Sequence, residues 1–151
     1  LHALGVAAGF QDEVLFTKLA DALAGHRTDD AEIQAALGDA CAYFARNDEA
    51  AAAYTHSLRA EDDPRVREQL GLALLRLNDP ARAAGCFRHI VDSADAERLW
   101  MVYQLVVALQ AQGMHAEALD TLNVVTAAFP PVAGVKDWQK LRKVSEKDAG
   151  R

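Results

Sequence analysis

Two histidines share a register that could do chemistry. His56 and His89 stand 33 residues apart, and imidazoles at matched positions can ligate a metal. Zinc, however, takes three or four ligands, and no third residue keeps the same register. Both side chains are therefore expected to face solvent; the other histidines are His2, His26 and His115. The two cysteines, Cys41 and Cys86, are too few for a disulfide scaffold. They read as buried thiols acting as small hydrophobes, with a Cys41–Cys86 bridge as the alternative. Ser57, Ser93 and Ser145 occur in no G-x-S-x-G turn. The acidic runs "TDD" at 28–30 and "EDD" at 61–63 fall at joints, where carboxylates cap helices. The chain contains no G-x-G-x-x-G, Walker loop, H-E-x-x-H or paired C-x-x-C. No cofactor or metal is implied, and an enzyme is not expected. A hydrolase or metal enzyme would announce itself by stoichiometric metal held through His56 and His89.

The elements that must carry these residues are helical and repeated. Leu-Gly occurs at Leu4-Gly5, Leu37-Gly38 and Leu70-Gly71, in steps of 33 residues, and Leu105-Val106 follows after 35. Twelve residues beyond Gly38, Gly71 and Val106 stand Ala50, Ala83 and Ala118. Four residues further stand Tyr54, Phe87 and Leu122. Each copy reads as two helices with apolar residues every three or four positions. Ile33, Leu37, Cys41 and Phe44 are followed by Ala50, Tyr54 and Leu58. Leu70, Leu74 and Leu77 are followed by Ala83, Phe87 and Ile90. Val102, Leu105 and Leu109 are followed by Ala118, Leu122 and Val125. Asp48 and Asp79 are the expected N-caps of the second helices. Pro64 and Pro80 fit first turns, and Gly113 is a left-handed stop. Gly38 and Ala50 are small so that two helices can cross closely, and Tyr54 fills the space they leave. Neither helix can bury its stripe alone, so the units must pack on one another.

This pattern resembles the tetratricopeptide repeat family. The matching residues are Leu37, Gly38, Ala50 and Tyr54; Leu70, Gly71, Ala83 and Phe87; and Leu105, Ala118, Leu122 and Pro130. The family's early tryptophan is replaced by Gln34, Arg67 and Val102, its next aromatic by Cys41, Leu74 and Leu109, and its closing proline by Asp62 and Asp95. Sel1-type and other helical-hairpin repeats stay open. The resemblance implies an all-α superhelical solenoid of antiparallel helix pairs forming a single domain. Three repeats would cover about 31–63, 64–98 and 99–132, with a partial unit over 1–30, where Thr17 stands in place of the alanine, and a capping helix over 133–151. The last segment, 131–151, holds six basic against three acidic residues, with Val135, Trp138, Leu141 and Val144 on one side. It reads as a cap, or alternatively as a basic amphipathic helix docking on a partner or membrane surface.

The resemblance also implies a function. First helices of such units line a concave groove that binds peptides or helices. Carried over, the groove comprises Glu32, Ala35, Asp39, Ala42 and Tyr43 from the first unit. The second contributes Arg65, Glu68, Leu72, Leu75 and Arg76, and the third Trp100, Tyr103, Val107, Gln110 and Ala111. Tyr103 and Trp100 suit binding hot spots or, equally, packing against the last helix. Family members that clamp acidic chaperone tails use lysine and asparagine where this chain has Ala35, Asp39 and Leu72. The expected partner is instead a protein or peptide with apolar and some basic character, held by a scaffold or adaptor. A type III secretion-chaperone-like protein and a self-assembling repeat protein are the alternatives, because exposed repeat ends favour self-association.

Charge and length agree. The 151 residues carry a formal net charge of −6, which disfavours nucleic acid and anionic membranes as partners. No apolar run approaches the ~20 residues of a membrane span. The start "LHALGVAAGF" has no basic n-region, and it begins at Leu1 and not Met. A processed form or one module of a larger protein is thus expected. A cytoplasmic location is favoured, or a periplasmic one if a signal has been removed. The alanine- and arginine-rich composition suggests a bacterial chain.

Overall fold

The computed structural model describes residues 14, 17–18, 20–22, 29–93 and 95–150. The partial unit expected over 1–30, including Leu4-Gly5, falls largely outside them, as do His2 and His26. Among the described residues the fold is all-α, without strands. The helices are α1 (Ala31–Tyr43), α2 (Asn47–Ala60), α3 (Pro64–Arg76), α4 (Pro80–Asp92), α5 (Leu99–Ala111), α6 (His115–Ala128) and α7 (Lys136–Ala149). Short 3-10 turns cover Ala96–Arg98 and Pro130–Gly134. The chain divides into two compact units, Leu1–Leu77 and Asn78–Arg151. The division falls at the joint between the two helices expected for the second repeat.

The joints explain why the helices begin and end where they do. Asp30 caps α1 by accepting from the Ile33 N–H at 3.0 Å, and Asp63 caps α3 by accepting from the Arg65 N–H at 2.8 Å. Asp79 caps α4 by accepting from the Arg82 N–H at 3.2 Å. Each satisfies one of the amides that a helix start leaves unpaired. Pro64 and Pro80 occupy first turns, as expected. Helix α2 differs from expectation. Its N-cap position is Arg46, with no side-chain cap, and Asp48 lies inside the first turn. The reason lies in the residue before. Ala45 turns the chain at φ 58°, so the helix starts two residues earlier than the acidic run suggests, and the Arg46 N–H then returns to the Cys41 carbonyl at 2.9 Å.

The same left-handed turn recurs. Asn78 has φ 60° and Gly113 φ 74°, and the Met114 N–H returns to the Leu109 carbonyl at 2.9 Å. Ala45, Asn78 and Gly113 therefore mark one structural position, repeated with the 33- and 35-residue steps seen in the sequence. Residues there need positive φ, which glycine and asparagine adopt readily and alanine adopts with strain.

In the first unit α1 packs on α2, and α2 on α3. Its core includes Leu37, Cys41, Ala50, Tyr54, Val66, Ala73 and Leu74. The crossing of α1 and α2 is close. A Cβ placed on Gly38 would stand 2.5 Å from Cδ1 and Cε1 of the buried Tyr54 ring. In the second unit α4, α5 and α6 pack in sequence, and α7 covers both α5 and α6. Phe87, Ile90, Val102, Leu105, Val106, Leu109, Leu122 and Val125 fill its core. Helix α7 buries Leu141 and Ser145, with Trp138 half-buried. Val135 and Val144 are exposed instead of joining them, a correction to the apolar side expected for this segment. A small hydroxyl at 145 lets α7 approach α5. Gln110 Nε2 donates to the Leu141 carbonyl at 2.6 Å and to Ser145 Oγ at 2.8 Å.

Candidate protein-binding faces

The first unit gathers several of the expected groove residues around one polar pair. Glu32, Ala35 and Asp39 on α1 face Arg65 on α3 across a cavity of about 220 Å³. Asp39 is the hub. It accepts from the Tyr54 hydroxyl at 2.8 Å and meets Arg65 Nη1 at 3.3 Å. Burial, followed by this hydrogen bond, pushes the ionisation of Tyr54 upward, so the phenol remains the donor. The charges of Arg65 and, less, Arg76 oppose that shift. Tyr43 is 56 % exposed and meets Phe44 edge-on with ring centroids 5.1 Å apart. Leu72 and Leu75 are half-buried and Arg76 is exposed. Glu68 departs from the open face, being only 5 % exposed. The buried side of α3 is wide and takes in Val66, Glu68, Leu70 and Gly71 together.

The second unit presents an apolar ridge on α5. Met101, Val102, Leu105, Val106 and Leu109 turn inward. Trp100, Tyr103 and Val107 fall on another side, at the spacing that aligns side chains along a helix. Trp100 is 52 % and Val107 38 % exposed. Tyr103 is half-buried against α7, edge-on to Trp138 with ring centroids 5.4 Å apart. The two readings of these aromatics thus separate. Tyr103 packs on the last helix, while Trp100 stands in solvent. Gln110 is committed to holding α7, and Ala111 is exposed.

The residues first considered for chemistry take structural partners. His56 Nε2 lies 3.0 Å from Asp29 Oδ1, and His89 Nδ1 lies 2.9 Å from the Cys86 carbonyl. Cys41 and Cys86 are buried free thiols. Burial is the main cause that pushes the Cys41 thiol up to about 11. Among the described residues no three His, Cys, Asp or Glu side chains cluster to hold a metal ion. No helix there is long and apolar enough to cross a membrane. Packing of Tyr103 on the last helix is one of the two readings the sequence offers, whereas Ser145 as a partner of Gln110 is missed there. The available signal was the Leu141/Ser145 spacing of four residues, obscured because serine is not an apolar residue.

Comparison with protein-family models, with curated proteins and with solved structures gave no match. The helix pairs and their repeated joints therefore carry the functional reading on their own.

Proposed function

We propose that this chain is a tetratricopeptide-like protein-binding module, acting as a scaffold or adaptor. The α5 ridge receives the apolar side of a partner peptide or helix on Trp100 and Val107, with Tyr103 between them held against Trp138. The observation that carries the reading is the exposure of Trp100 beside Val107 on a helix whose other side is fully packed. A solvated indole on a rigid helix can bury a large area at low entropic cost, as binding hot spots do. In the first unit, Glu32, Asp39, Glu61 and Asp63 around the single Arg65 cation suit basic side chains of a partner. Tyr43, Leu72, Leu75 and Arg76 supply further contact surface there. Glu68 contributes through packing.

The test is a comparative capture from source-cell lysate with wild type beside Trp100→Asp/Val107→Asp. Circular dichroism confirms that the variant folds, as both side chains lie outside the core. A protein retained by wild type and lost with the folded variant supports the reading, and its identity separates an adaptor from a secretion chaperone. Equal capture by both refutes the α5 assignment.

A further inference from the structure

A second cleft lies in the Asn78–Arg151 unit, lined by α6, the Pro130–Gly134 turn and α7. It encloses about 460 Å³, within the size range of ligand-binding pockets. Its walls are apolar where Leu122, Val132 and Trp138 meet, and cationic where Arg142 and Lys143 line it. Arg142 is held in place by neutral acceptors. Its Nη1 donates to Asn123 Oδ1 at 2.8 Å and its Nη2 to Thr126 Oγ1 at 3.1 Å. Thr126 is itself oriented, donating to the Leu122 carbonyl at 2.7 Å. The nearest carboxylate, on half-exposed Glu146, is 3.8 Å from Nη1, beyond the 2.7–2.9 Å of a charge-assisted hydrogen bond. The guanidinium is thus pre-positioned, its charge incompletely countered, beside an apolar wall.

We propose that this cleft binds a partner peptide segment in which an Asp or Glu side chain adjoins large apolar residues. The carboxylate sits on Arg142 and Lys143, and the apolar side chains on Leu122, Val132 and Trp138. One carboxylate suits the site better than a phosphate, because Glu146 on the same wall repels a second negative charge. The lining runs along α7 from Trp138 to Glu146, about 12 Å at the rise of an α-helix. That length takes a passing segment of about three or four extended residues. Charge complementarity selects this occupant. The segment 131–151 is net basic in a chain that is otherwise acidic, so an acidic segment is drawn to this end.

The probe is an acetyl-Leu-Glu-Phe-Leu-amide peptide, with its Gln counterpart as control. The protein is the full chain carrying Trp100→Phe, in which Trp138 is the sole indole and reports from the cleft wall. The Glu peptide should change Trp138 emission saturably, the Gln peptide should bind at least about tenfold more weakly, and binding should weaken as salt rises. Arg142→Met should abolish the Glu preference. Should that variant fail to fold, Lys143→Met replaces it, since Lys143 is exposed, and a loss of about threefold or more is expected. No saturable change, equal affinity for the Glu and Gln peptides, or an unaltered Glu preference in the folded variants overturns the proposal. Tighter binding of a peptide whose only carboxylate is its C-terminus overturns it as well.

Discussion

Replacing Gly38 by alanine puts the helix-crossing argument at risk directly. By helix propensity alone the change stabilises α1 by about 1 kcal/mol. The new methyl, however, would stand 2.5 Å from two carbons of the Tyr54 ring and 2.9 Å from a third. That ring is buried, and its hydroxyl is tied to Asp39. Forcing a methyl into packed surroundings costs about 1–3 kcal/mol. If the ring swings aside, it also loses a hydrogen bond to a carboxylate, about 1.5–3 kcal/mol. With the ring displaced, the net expectation is a destabilisation of about 1.5–5 kcal/mol. Urea unfolding followed by circular dichroism measures it. The same substitution in a Tyr54→Leu background should cost at least about 1 kcal/mol less, the signature of a direct contact. A Gly38→Ala chain as stable as wild type, or an equal cost in both backgrounds, would refute the reasoning.

Gly85 gives the opposite sign. It lies in α4 with nothing within 4 Å of an added Cβ, so Gly85→Ala should stabilise by up to about 1 kcal/mol in the same urea assay. Ala45→Gly should relieve the left-handed strain at φ 58° and raise stability by about 1 kcal/mol, whereas Asp79→Ala should lose about 1 kcal/mol with its cap. Asp48→Ala, at a residue that caps nothing, should stay within about 0.5 kcal/mol in a thermal melt. Because the Cys41 thiol is pushed from near 9 up to about 11, labelling of a Cys86→Ala chain at pH 8 should run at least about a hundredfold slower folded than unfolded. The neutral thiol is favoured in the folded state, so its contribution is complete below pH 9 and is lost as pH rises from about 9 to about 11. Urea midpoints measured across that range check the sign.

The legible parts of the fold were those fixed by short-range physics. The Leu-Gly, alanine and aromatic offsets located the Gly38–Tyr54 crossing, and proline after aspartate located the starts of α3 and α4. The joint before α2 was misread because an alanine occupies a position that glycine or asparagine announces elsewhere, at Gly113 and Asn78. Helix α7 was legible as amphipathic, but its buried side was not. Ser145 goes inward to meet Gln110, while Val144 stays out. Hydropathy ranks those two the other way, and only the hydrogen bond reverses them. For the candidate site, a first-helix register located Trp100, Tyr103 and Val107 on one ridge. It could not tell that Glu68 is packed away or that Tyr103 is shared with Trp138, since both depend on neighbours distant in sequence.

The most direct test of protein binding on the α5 ridge is site-specific photo-crosslinking in source cells. Benzoylphenylalanine is placed separately at 100, at 107 and, as a control, at 124 on α6. Val124 is 54 % exposed against 52 % for Trp100, so accessibility is matched and only the helix differs. The account predicts that positions 100 and 107 capture the same partner peptide and that position 124 does not. Adducts that are equal at all three positions, or absent at 100 and 107, would contradict it.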